Sequence, residues 1–279
     1  MARLSIRDFP DDLHMQLMHS AAQNQRSLEG EVRFGLAAYA HSLKQTAAPQ
    51  PTQLDRWRLE SGRRLQQLFQ QLRADQVFAY NQRSDLPHLA LLLEEPSPAL
   101  LLDCVEGRAS LPFDLAHRLV EHFSCNLSWL ISGAGEMFPY PDLGAFASYV
   151  DFFKPAHTDS SFSIKMVRVC GGRHDGALLL FRLDKNSRHV AAGYCSTQFN
   201  LSGQMGGTGF GRFAEFAEHL ASLGSLQVEA YNFLASESDG GFGDHHPTFY
   251  LNPVRLDHAN WLSPLLKGVS PVNIEWVAS

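Results

Sequence analysis

The chain has 279 residues, 44% of them hydrophobic, and a net charge of −6. That length suits two or three small domains with compact cores, and the acidic balance argues against a large nucleic-acid footprint. No stretch approaches eighteen consecutive apolar residues and the N-terminus is polar, so neither a membrane span nor a signal peptide is expected.

The expected setting is therefore cytoplasmic. Four widely spaced cysteines, Cys104, Cys125, Cys170 and Cys195, form no C-x-x-C pair and read as buried thiols of a reducing compartment. Charge is spread evenly. Residues 1–48 carry five Lys/Arg against five Asp/Glu, 52–140 eight against eleven, and 141–279 ten against thirteen. Any affinity for DNA must then rest on a few well-placed cations and on oligomerisation.

Two breaks divide the chain. Residues 45–53 (QTAAPQPTQ) hold two prolines and no large apolar group, which is linker composition. Residues 138–144 (FPYPDLG) place two prolines and a glycine after a helical region. The expectation is a multidomain chain with modules at 1–44, 54–140 and 145–279.

The first module opens with Arg3-Leu4-Ser5-Ile6-Arg7, whose period of two puts Leu4 and Ile6 on one face and Arg3, Ser5 and Arg7 on the other. An Asp cap then starts a helix to about Asn24, with Leu13, Leu17, Met18 and Ala21 on one face. Ser27 caps a second helix with Leu28, Val32, Leu36 and Tyr39 inward. A lone five-residue strand leaves its ladder groups unpaired, so a second copy must supply its partner and a dimer is obligatory.

The second module reads as five helices. The first runs from Trp57 to Arg73 with Leu65, Leu68, Phe69 and Leu72 on one face. Asp85 caps residues 89–94, Pro96-Ser97-Pro98 opens 99–106, and 112–123 and 127–131 follow, with Gly107 and Gly133 as stops. The third module is α+β. Strands are expected at 162–170, 177–184, 189–196, 226–234 and 272–277, and helices at 210–223 and 257–267.

The pattern L-S-I-R-D-F-P-D-D-L-x(12)-R-S-L-E-x-E-V over residues 2–42 resembles the Arc/MetJ-type ribbon-helix-helix family, in its antitoxin-like branch. The resemblance implies a paired, antiparallel ribbon in the major groove of double-stranded DNA, with Arg3, Ser5 and Arg7 facing base edges. It also implies that the helix start at Ser27, with Arg26 beside it, grips a phosphate.

Residues 84–138, ending in the W-L-x-x-G-x-G of 129–135, are similar to Cro/lambda-repressor-like helix-turn-helix domains. There 99–106 takes the place of the recognition helix, and Ser97, Leu100 and Arg108 stand where such a module meets DNA. Only Ser97 and Arg108 suit that task. Leu100, Leu101 and Cys104 read poorly as base readers, Asp103 repels phosphate, and an exposed leucine pair at 100–101 fits a protein partner better.

The remaining motifs carry little chemistry. Gly203–Gly211 precedes a helix but lacks the Lys-Ser/Thr of a P-loop. Asp244-His245-His246, His157-x-Asp159 and His174-Asp175 show no ligand set that sequence brings together. Ser148 lies outside a glycine turn and Lys185 in a hairpin turn, so self-cleavage is not expected. No catalytic residue, metal or cofactor is assigned. The expectation is a dimeric or tetrameric DNA-binding regulator, a repressor rather than an activator, whose third module takes a protein partner or small effector. The rival is an antitoxin-like protein whose C-terminal module neutralises a partner protein.

The strand sets the first prediction. Ile6→Asp places an unpartnered carboxylate in an intertwined core, so both dimer formation and DNA binding should be lost. A variant that stays dimeric through its first module and still binds DNA rejects the ribbon.

Overall fold

The computed structural model describes residues 8–44, 50–154, 162–184, 189–202, 206–224 and 228–267. The chain divides into two compact units, Met1–Thr52 and Gln53–Ser279. The expected ribbon at residues 3–7, the linker residues 45–49 and the expected last strand at 272–277 lie outside the described residues.

The first unit holds α1 (Asp11–Gln23) and α2 (Leu28–Lys44). Pro10, not an aspartate, stands at the start of α1 and makes no side-chain cap; Asp11 and Asp12 lie in the first turn, where their negative charge complements the positive end of the helix dipole. Gln25, at φ +54°, turns the chain back, and the expected Ser27 cap is present, its Oγ accepting from the Gly30 amide at 3.1 Å. Ala21 is buried, whereas Leu13, Met18, Leu36 and Tyr39 are exposed rather than inward. Two helices bury only the strip where they touch, so these side chains stay uncovered among the described residues of the unit.

The second unit begins with five helices: α3 (Gln53–Ala74), α4 (Leu86–Leu92), α5 (Ala99–Val105), α6 (Phe113–Phe123) and α7 (Leu127–Ser132). Their limits follow the punctuation of the sequence. Asp85 accepts from the His88 amide at the start of α4, and Gly107 and Gly133 take the left-handed conformation just past α5 and α7 (φ +73° and +77°). Arg64 donates from Nε to the Leu130 carbonyl at 2.9 Å and from Nη2 to that of Ile131 at 2.8 Å, closing the last turn of α7 from α3.

Then come α8 (Phe146–Phe152), which sequence reading missed, and strands β1 (Phe162–Cys170), β2 (Leu178–Asp184) and β3 (Val190–Cys195). Next are α9 (Gly207–Ser222), β4 (Val228–Leu234), three 3-10 turns at Glu237–Asp239, Phe242–Asp244 and Pro247–Leu251, β5 (Leu256–His258) and α10 (Leu262–Leu266). The helix expected at 257–267 is thus wrong in its first half. Residues 256–258 pair antiparallel with β4, Asp257 opposite Asn232, and helix begins only after Trp261 has donated its Nε1 proton to Asn232.

The sheet order is β3-β2-β1-β4-β5, antiparallel except for the β1–β4 pair. Both faces are apolar. Val167, Val169, Leu179, Phe181 and Phe233 point into the core that holds Leu65, Leu68 and Phe69 of α3 and Leu115 and Leu119 of α6. Ile164, Met166, Leu178, Leu180 and Ala230 point the other way, against Tyr149 of α8, Phe213 and Phe216 of α9, and Trp261.

The break expected at 138–144 is no spacer. Phe138, Tyr140 and Leu143 are buried, the Phe138 amide donates to the Gly243 carbonyl, and at the β3 edge the Leu143 amide donates to the Tyr194 carbonyl while the Tyr194 amide donates to that of Pro141. The helices and the sheet of residues 53–267 share one core across this junction.

α3 and α5 cross at Gly62. A Cβ there would lie 2.7 Å from the Cys104 carbonyl oxygen and 2.9 Å from that of Val105. In an open helix Gly→Ala stabilises by about 1 kcal/mol. Against backbone atoms, overpacking of roughly 1–3 kcal/mol opposes that gain, at the upper end because a carbonyl has no rotamer by which to yield. Gly62→Ala should therefore lower the melting temperature of the chain; an unchanged or higher value rejects the close crossing.

Candidate nucleic-acid interface

The proposed base readers Arg3, Ser5 and Arg7 lie outside the described residues. The phosphate pair expected from sequence, Arg26 and Ser27, stands at the start of α2. Ser27 is occupied with its capping bond, which fixes the first turn and points the partial positive end of α2 outward. Arg26 is held from two sides. Its Nη1 lies 3.3 Å from Glu31 Oε2, and its guanidinium sits 4.0 Å from the centre of the Phe34 ring.

Glu31 organises this corner and sequence reading missed it. Its side chain is buried and accepts from Ser20 Oγ at 2.8 Å and Asn24 Nδ2 at 2.9 Å, besides Arg26. The Ser20 hydroxyl lowers its pKa, burial opposes, and Asn24 and Arg26 add to the lowering; the net direction is down. Its contribution to folding is present above the unfolded-state value and is lost as the pH falls through the lower folded one. A signal was available: Ser20 and Asn24, one turn apart, are polar residues flanking the buried Ala21.

The three residues assigned to the helical module belong to the second unit. Ser97 is exposed, and its Oγ accepts from the Ala99 amide at 3.4 Å, a local bond at the start of α5. Leu100 is half-buried against the core and Leu101 is fully buried, as is Cys104. The exposed leucine pair expected there does not exist, because α5 is rotated so that 101, 104 and 105 face α3. Arg108 donates from Nε to Asp103 Oδ1 at 2.9 Å and also pairs with Glu106. Its charge is outweighed by its own two partners, and the outward side of α5 is acidic.

Among the described residues no group of three or more His, Cys, Asp or Glu is placed to hold a metal ion. Asp175 of the His174-Asp175 pair accepts from the Gly171 amide inside its own hairpin. Burial pushes the Cys104 and Cys125 thiols up to about 11 and about 12, which suits inert core cysteines. α9 begins at Gly207 with no side-chain cap; residues 203–205 lie outside the described residues, as do His157, Asp159 and Lys185.

Residues 2–40 match the model of a family described as antitoxin FitA-like, ribbon-helix-helix. No curated protein and no solved structure matches the chain. The likeness of 84–138 to Cro/lambda-type helix-turn-helix domains is not shown by these comparisons. No helix among the described residues is long and apolar enough to cross a membrane.

These environments separate the two arginines. Arg26→Ala should weaken binding evenly across DNA sequences and reduce the salt slope by about 1, as loss of one phosphate contact does. Arg108→Ala should leave affinity and salt slope unchanged. A salt slope that drops with Arg108→Ala instead would return α5 to the DNA.

Proposed function

We propose that this protein is a sequence-specific DNA-binding transcriptional regulator, acting as a repressor, that reads double-stranded DNA through a ribbon paired between two copies. The observation that carries the reading is the ribbon-helix-helix match at residues 2–40. Beside it stands the alternation of Arg3-Leu4-Ser5-Ile6-Arg7, which sets two arginines and a serine on the face opposite the apolar one. The exposed Leu13, Met18, Leu36 and Tyr39 supply the apolar surface that a second copy buries. The second unit assembles dimers into tetramers or binds an effector, and does no catalysis. Its paired Arg108 and half-buried Leu100 speak against groove reading by α5.

A second reading has its own support, since the matched family is described as antitoxin. In it the first unit regulates its own gene and the second neutralises a partner protein. Co-purification of an equimolar partner from the native host favours this reading; a chain that purifies alone and occupies an operator favours the first.

The test of the ribbon is Arg7→Ala in the full chain. Folding should be intact and discrimination at one base position per half-site should relax by roughly 1–3 kcal/mol. Even weakening over all sequences makes Arg7 a phosphate contact.

A further inference from the structure

The Asp244-His245-His246 run plays no part in DNA reading, yet it carries the polar centre of the second unit. Asp75, just past the end of α3, is buried. It accepts from Gln71 Nε2 at 2.9 Å, from the His246 amide at 2.7 Å, and faces His245 Nδ1 at 2.7 Å. The other ring nitrogen of His245, Nε2, lies 2.9 Å from the backbone carbonyl oxygen of Asp239. Gln71 Nε2 also lies 3.3 Å from Nδ1, but it donates to the same Asp75 oxygen at the shorter distance of 2.9 Å. The nearest neighbours of the two ring nitrogens are pure acceptors, a carboxylate and a carbonyl. A neutral imidazole has one proton, so either tautomer turns a lone pair onto an oxygen at hydrogen-bond distance. Only the doubly protonated ring satisfies both contacts.

The surroundings favour that cation. Its ring stacks on Phe249, centroids 3.8 Å apart and planes 11° from parallel. Asp239 extends the chain of charges to Arg255, whose guanidinium lies 5.0 Å from the same Phe249 ring. Of the remaining groups around it, Asp244 is bound to the Gly241 amide, Tyr140 donates to the His245 carbonyl at 3.4 Å, and Tyr250 meets the ring edge-on at 6.2 Å. His246 is the opposite case. Burial drives its pKa down to about 4, and its Nδ1 accepts from the Thr248 amide.

We propose that His245 is a proton-operated latch, whose second ring proton holds the 237–251 segment against the end of α3. Protonated, it bridges the Asp75 carboxylate and the Asp239 carbonyl, tying the helical layer to the turns that lead into β5. When the proton leaves, one of these two contacts becomes a repulsion between lone pairs and the segment is released from α3 or from its own first turn. Burial opposes the charge, but the Asp75 bond and charge, with Asp239 behind, outweigh it and the pKa is raised. The contribution is therefore complete below the unfolded-state histidine value of about 6.5 and disappears as the pH rises through the higher folded value.

Two measurements on the full chain test this. In a nitrogen-detected histidine titration of the unaltered protein, His245 should still carry both ring protons at neutral pH, and Asp75→Asn should move its titration downward. A singly protonated His245 ring at neutral pH overturns the latch. In thermal unfolding from about pH 5 to 9, the gap between the unaltered chain and His245→Gln should be widest at low pH and close as the pH rises. A gap that stays constant with pH shows a merely structural side chain and overturns it as well.

Discussion

A sheet with two apolar faces must be covered twice, and the second unit follows from that constraint. β1, β2 and β4 alternate so regularly that odd positions feed one core and even positions the other. Hydrophobic burial then demands a layer on each side. α8, α9 and α10 cover one face; the five-helix group and the 3-10 turns cover the other. The helical module is therefore the second half of a sandwich, and its inner surfaces are spent on the sheet. The Ser124 hydroxyl, at the left-handed end of α6, accepts from the Val190 amide of β3, a polar stitch in the same seam.

This arrangement explains why α5 has little left to offer DNA. Leu101, Cys104 and Val105 are committed to α3 and its neighbours, and Gly62 brings the two backbones close enough to fix the orientation of α5. What remains outside is Asp103, Glu106 and an arginine that both carboxylates hold. In the first unit the logic is reversed: few apolar side chains are covered, and Glu31 spends its buried carboxylate on setting the turn before α2. The first unit leaves Leu13, Met18, Leu36 and Tyr39 open, whereas α5 of the second has turned Leu101, Cys104 and Val105 inward.

Local signals made much of this legible in the sequence. Asp85, Gly107 and Gly133 mark helix limits because capping and left-handed turns depend on a single residue, and strands rich in Val, Leu and Phe alternate visibly. The ribbon-helix-helix pattern at 2–40 was readable because strand phase, Ser27 and two helical faces agree. Three features were not. Residues 138–144 resemble a linker because prolines and a glycine dominate them, while Phe138, Tyr140 and Leu143 turn inward only because a sheet edge is there to receive them. Residues 257–267 looked helical throughout until the Asn232–Trp261 bond, a contact over 29 positions, divided them. Asp75 and His245 stand 170 positions apart, and no local pattern connects them.

That last separation bears on the order of events during synthesis. The first unit is local: α1, the turn at Gln25 and α2 lie within residues 11–44 and can form once these leave the ribosome. The second unit is not, since β1 must wait for β4 to pair in parallel and the end of α3 must wait for His245. Loops of that length close slowly, and the helices of 53–132 emerge with their sheet-facing surfaces uncovered until the last third of the chain arrives. If the first unit pairs as proposed, nascent chains on one messenger would carry pairing-competent first units beside unfinished second units. Pairing between neighbouring ribosomes would join the two copies first, and each second unit would then fold already tethered to its twin.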